Sequence, residues 1–273
     1  MGGRGSRSTS TPPSNPLWQS ATYVAQQAVR QAAQQNPQQQ PANLQPGNST
    51  QTLGQATATL ATVMNMSDDQ LAAAIRASRS VDMPNFINDR PDATQKFVYQ
   101  VGLNGLPTLL DRNAFQQWMQ QNGVKQSDLL ARSVRDGQYA VNGMRMPAKL
   151  ILDLIKRSSL SYIGGKIGNN ASGSGTYLDK NGGVNTGYGS GATMVAALNP
   201  ATARPVDWRA LGRMASTTFA RSHPKTAAML GSFDKNNASI YALAMGYNVI
   251  TGGPVSSTYH NVIDRSALVI RDD

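Results

Sequence analysis

Cysteine is absent from this chain, and so is glutamate: the acidic residues, 15 in all, are every one of them aspartate. Without thiolates there can be neither a disulfide framework nor a thiolate metal centre. With 2 histidines, His223 and His260, imidazole zinc chemistry is poorly supplied as well, so no metal site is expected. Long hydrophobic runs are also missing, and no window approaches the roughly 20 apolar residues of a membrane span. Residues 1–16 contain arginines but no apolar stretch of the kind a secretory signal carries. The expectation is a protein that contacts no membrane and is not exported by a signal peptide.

What the chain does have is positive charge: 25 Lys and Arg against 15 acids, a formal net charge of +10 over 273 residues. The excess is spread along the sequence, with no basic block. It favours contact with nucleic acid or with an acidic protein surface, without choosing between them.

Composition divides the chain. Residues 1–16 are rich in Gly, Ser, Arg and Pro, and residues 34–55 in Gln, Pro, Asn and Gly. Both are too poor in large apolar groups to offset the entropy of ordering, so 1–60 is expected to be a disordered, low-complexity tail. Within it Ser20 can cap one helix over 21–35, whose thin stripe of Tyr23, Val24 and Ala28 suits docking onto a partner better than a core. Residues 61–128 are expected to be a helical region. Ser67-Asp68-Asp69-Gln70 is a capping box ahead of Leu71, Ala74 and Ile75. Further helices are predicted over Asp92 to Val101, over Asn113 to Gln121 between Asp111 and Gly123, and over Ala148 to Arg157 behind Pro147.

From Gly164 to Gly191 the texture turns to Gly, Asn and Ser with isolated tyrosines. Thr193 to Leu198 reads as a strand, Asp207 as the cap of a helix through Met214, and Asn237 to Met245 as a helix stopped by Gly246. Tyr247 to Ile250, Tyr259 to Ile263 and Ala267 to Ile270 are β-branched apolar runs separated by turn residues. The fold class is therefore α+β. Gly173-Ser174-Gly175 lacks the third glycine and the strand-to-helix setting of a dinucleotide fingerprint, and neither a phosphate loop nor a nucleophile elbow is present.

Three stretches carry a resemblance. Gly173-Ser174-Gly175-Thr176-Tyr177-Leu178, with Gly187-Tyr188-Gly189 and Thr193 to Leu198 behind it, is similar to the segment after the nicotinamide-binding strand of ADP-ribosyltransferases. The closing runs Tyr241 to Ile250 and Tyr259 to Val269 resemble the end of the phage- and prophage-borne branch of that superfamily. The opening Met1-Gly2-Gly3-Arg4-Gly5 resembles the start of genes beside phage capsid genes. The likeness covers about Leu129 to Ile270, so 129–273 is expected to be an ADP-ribosyltransferase-like domain of split, bent antiparallel sheets with NAD in the cleft between them.

The resemblance also implies a site. Cleavage of the bond to nicotinamide passes through an oxocarbenium-like state, which calls for an aromatic beside the leaving ring, donors to the carboxamide and phosphates, and an anion near the ribose. Leu129 to Val134 is similar to the first core strand, which makes Arg132 the residue gripping the dinucleotide, although Ser133 stands where the family has glycine. Tyr177 matches the aromatic that stacks on nicotinamide. Gly173 and Gly175 would admit the ligand close to the backbone, Thr176 would offer a hydroxyl, and Tyr188 would pack beside the cleft. The family's catalytic glutamate falls near Tyr259, His260 or Asn261, none of them an anion; Asp264 or Asp179 would have to substitute. Two functions therefore stand side by side. One is an NAD-dependent ADP-ribosyltransferase acting on a host macromolecule. The other is a non-catalytic virion or capsid-associated protein that keeps the fold, docks to other phage proteins through its N-terminal region, and resides in the virion or the host cytoplasm.

Overall fold

The computed structural model describes residues 60–81, 92–101, 103, 105–138, 140–141, 144–157, 173–180, 191–254 and 256–272. The expected tail, its docking helix over 21–35, and Tyr188 lie outside these residues. Helix α1 (Asp68–Ser78) begins with the predicted capping box: the Ser67 hydroxyl accepts from the Gln70 amide at 3.3 Å, and the Gln70 side chain accepts from the Ser67 amide at 2.8 Å. Helix α2 (Ala93–Val101) repeats the device, with Asp92 and Gln95 exchanging two 2.8 Å bonds. Strand β1 (Thr108–Leu110) leads into α3 (Arg112–Gln121), capped by Asp111 and released by Gly123 at φ 67°. Strand β2 (Leu130–Val134) and the short hairpin β3 (Ala140–Val141) and β4 (Met144–Arg145) precede α4 (Ala148–Arg157). The region 61–128, expected to be helical, thus also contributes a strand.

Strands β5 (Thr176–Asp179), β6 (Ala192–Leu198) and β7 (Pro205–Asp207) follow. Asp207 caps α5 (Trp208–Met214), accepting from the Arg209 and Ala210 amides. The helix predicted to stop at Met214 continues, through a π-helical turn (Ala215–Phe219), into α6 (Ala220–Ser222). Nothing local breaks it there, since no Gly or Pro intervenes until Pro224 opens α7 (Pro224–Leu230). Helix α8 (Ala238–Ala244) ends at Gly246, φ 87°, before β8 (Val249–Thr251), β9 (Tyr259–Val262) and β10 (Leu268–Arg271).

The architecture is α+β, an eight-stranded mixed sheet with eight helices among the described residues. Its strand order is β1-β10-β6-β2-β5-β9-β8-β7, with parallel pairs β1–β10 at one edge and β7–β8 at the other and antiparallel pairs between. One face is covered by α4, whose Ile151, Leu152 and Ile155 pack on Leu130, Val134, Met194, Leu178 and Val262. The opposite face is covered in two places. At the β1 end, Phe115 of α3 packs on Ala197 and Val269. At the β7 end, α1, α2, α5 and α8 bury Leu71, Phe97, Leu211 and Leu243 with Ile250. Between these two groups the β2–β5 strip of that face is only partly covered. No helix among the described residues is long and apolar enough to cross a membrane.

Candidate functional site

The middle of the sheet is a fork. Strand β2 runs beside β6 in register over five pairs, and β5 beside β9 over four. Between β2 and β5 there is one register pair, Ala131 with Asp179. A continued ladder would set Ser133 opposite Tyr177; instead the Arg132 guanidinium crosses the gap, and Nη1 donates to the Tyr177 carbonyl at 2.8 Å. Because side chains alternate along a strand, Arg132 leaves β2 on the α4 face, where it is 8 % exposed. Thr176, 2 % exposed, lies on that same face. The hydroxyl expected beside the Tyr177 ring therefore points away from it.

The partly open face collects the aromatic and acidic groups. Tyr177 and Asp179 of β5 stand opposite Asn261 and Tyr259 of β9. The two tyrosine rings meet edge to face with centroids 6.3 Å apart. All but Asn261 are half-buried. Beside them the Ser133 and Thr193 hydroxyls bond across β2 and β6 at 2.9 Å. Of the two aspartates considered as substitutes for glutamate, Asp179 is on this surface, diagonal to neither ring but adjacent to both along its own strand and across to Tyr259.

Asp264 is not brought there. It sits beyond the end of β9, 1 % exposed, and its carboxylate accepts from the Ser266 amide at 3.1 Å and the Ser266 hydroxyl at 2.8 Å while capping the turn Arg265–Ala267. Burial pushes its pKa up, against the opposing pull of bonds from Ser266 and Gly105 and the nearby Arg265 charge. Its role is to hold that turn under Gly105, where an added Cβ would lie 2.6 Å from the Ser266 Cβ.

The glycine loop is fixed from below. Gly173 has φ 97°, and a Cβ there would lie 2.4 Å from the Ser239 hydroxyl of α8; at Gly175 it would lie 1.8 Å from Asn261 Oδ1. The close approach that these glycines permit is therefore taken by Ser239 and Asn261, and not left to a ligand. Asn261 is fully buried, with Nδ2 3.5 Å from the Ser239 hydroxyl. Ser239 donates to the Ser174 carbonyl at 2.7 Å, Ser174 donates to Asp92, and the Tyr177 hydroxyl donates to the Gly173 carbonyl. Asp92 and Ser239 were legible in the sequence only as a helix start and a helix residue; nothing local marks a bond between positions so far apart. His260 turns to the α4 face beside Leu178, where burial pushes its pKa down and a bond to the Thr258 carbonyl only partly opposes that.

The arrangement offers a stacking surface of two tyrosine edges and faces, flanked by one carboxylate and two hydroxyls, over a fork stitched by an arginine. Such a strip can take a flat ring and place an anion beside what that ring carries. No protein-family model, no curated protein and no solved structure matches this chain.

Proposed function

We propose that the chain is an ADP-ribosyltransferase-like protein of the phage-borne kind, whose β2–β5 strip receives NAD. One observation carries the reading: the sheet forks at Ala131 and Asp179, and a tyrosine pair and a carboxylate stand together on one face of that fork. The resemblance implies two split antiparallel sheets with the ligand between them; here the tyrosines and the carboxylate stand on one face of a single mixed sheet. In this reading Tyr177, backed by Tyr259, stacks on the nicotinamide ring. Asp179 supplies the anion that steadies the ribose cation as the glycosidic bond opens. Arg132 acts as a positioning residue, holding the fork through the Tyr177 carbonyl instead of gripping phosphates. Asp264 is excluded from the chemistry by its burial.

The test is calorimetric titration with NAD together with nicotinamide release. Tyr177→Ala is expected to weaken binding by about 5- to 150-fold, since base stacking on an aromatic contributes about 1–3 kcal/mol. Asp179→Asn is expected to keep binding and to slow release by about 10²–10³, the usual effect of removing one group aimed at developing charge. Absence of both binding and release at about 1 mM NAD, the upper end of ordinary Michaelis constants, overturns the proposal.

A second reading, a non-catalytic virion or capsid-associated protein that retains the fold, is favoured by two specific observations. The chain has no glutamate, and the bare faces of Gly173 and Gly175 are filled by its own side chains. It predicts that Tyr177→Ala and Asp179→Asn change assembly or stability and no chemistry.

A further inference from the structure

From α5 to α6 the chain is one helical run, Trp208 to Ser222, whose inner side is apolar: Leu211, Ala215 and Phe219 are 0, 2 and 2 % exposed. A four-residue stride drifts about 40° per step on an ideal α-helix, so three strides would carry a row a third of the way round. The wider π turn at Ala215–Phe219 absorbs that drift. Leu211, Ala215 and Phe219 stay inward, and the complementary row stays outward. That outer row is Arg209, Arg213, Thr217 and Arg221, every one exposed, with exposed Ser216 between them.

These arginines lie along about 18 Å of helix. The ion pairs of Lys156 and Arg157 with Asp272 and of Lys225 with Asp69 lie off this row. The carboxylate nearest in sequence, Asp207, is engaged as the helix cap, accepting from two amides. Asp234 is held in its own turn by Asn236 and Asn237. The exposed positions between Arg213 and Arg221 are Ser216, Thr217 and Thr218, all small hydroxyl side chains, so a partner can approach the ridge closely there.

We infer that this ridge is a docking surface for duplex nucleic acid, gripping the phosphate backbone without reading sequence. Charge complementarity selects a polyanion, and over 18 Å a duplex presents about ten phosphates. Arginine forks suit phosphate oxygens in two-point contacts. An anionic membrane is disfavoured, because an interfacial helix needs its apolar side in lipid and here that side is the protein core. A single strand is disfavoured too, because the row offers no aromatic for bases to stack on.

The experiment is fluorescence anisotropy of a random-sequence DNA duplex against the full chain over a range of NaCl. Three proteins are compared: wild type, the ridge triple Arg209→Gln, Arg213→Gln, Arg221→Gln, and a charge-matched triple elsewhere, Lys125→Gln, Arg135→Gln, Lys149→Gln. Circular dichroism checks that each is folded, and Arg→Lys at the three ridge positions keeps the charge should the Gln triple misfold. The ridge triple is expected to lower the slope of log K against log salt by about 2.7, the share of three phosphates. It should weaken binding alike for unrelated sequences, with the lysine version keeping the wild-type salt slope and losing less affinity than the Gln triple. The matched triple should leave the slope within about one unit. Equal losses in both triples, no duplex binding by wild type, or a ridge-dependent preference for anionic vesicles or an acidic protein over DNA would each overturn the inference.

Discussion

Asp68 joins two helices. It opens α1, and its carboxylate accepts from the Lys225 and Thr226 amides and the Thr226 hydroxyl, so it also caps α7 from 158 positions away. Burial pushes its pKa up, but the bonds from Thr226 and the two amides outweigh that and leave it below the usual value of 3.8. A lowered carboxyl contributes stability above its unfolded pKa and loses it as pH falls through the folded one. Asp68→Ala is expected to cost about 1–2 kcal/mol in urea unfolding at pH 7. The gap to wild type should close below about pH 3.8; a gap unchanged in acid would show that the charge is not what holds the clasp. Asp264 has the opposite sign. With its pKa raised, it weakens the fold as pH climbs past the ordinary carboxylate range. The stability of Asp264→Asn relative to wild type should therefore shift in the variant's favour from pH 3 to 7, read by melts across that range.

Among elements, the glycines separate two kinds of constraint. Gly123 ends α3 at φ 67° with nothing within 4 Å of an added Cβ, so Gly123→Ala meets only backbone strain, about 1 kcal/mol. Gly175 has no positive φ, yet its Cβ would fall 1.8 Å from Asn261 Oδ1 and 2.8 Å from the Val262 carbonyl. Gly175→Ala must push β5 from β9, and a cost of about 2–3 kcal/mol is expected, with the Tyr177–Tyr259 contact disturbed. Comparable losses in the two variants by denaturant unfolding would refute the distinction. At the other end of the sheet Asp272 ties β10 to α4 through Lys156 at 3.1 Å and through Arg157. Burial raises its pKa, and the two cations more than reverse that. Asp272→Asn should cost about 1 kcal/mol at neutral pH, and less in high salt because Arg157 is half exposed.

For the whole molecule, the outer sheet strand β1 and helices α1 and α2 are not an appendage. Strand β1 pairs with β10, and Leu71, Ile75, Phe97 and Val98 complete the same cluster as Leu211, Tyr241 and Ile250. A chain starting at Arg112 would bare that cluster and the β10 edge. It is expected to lose the cooperative melt of the full chain and to bind a hydrophobic dye.

The sequence by itself determined the local events: the Ser67 and Asp111 caps, α4 behind Pro147, the stop at Gly246, and the strands of the last third except β7, because each is decided by groups within a turn of one another. It also determined that no glutamate is available, and composition alone settles that. Strand order, the fork at Ala131 and Asp179, and the face each residue occupies were decided by tertiary structure. Arg132 and Tyr177 are adjacent in space across 45 positions, yet pleat parity sends their side chains to opposite faces. Asp179 and Asp264 look alike as candidate acids in the sequence. Only packing separates them, leaving one beside the tyrosines and enclosing the other under Gly105.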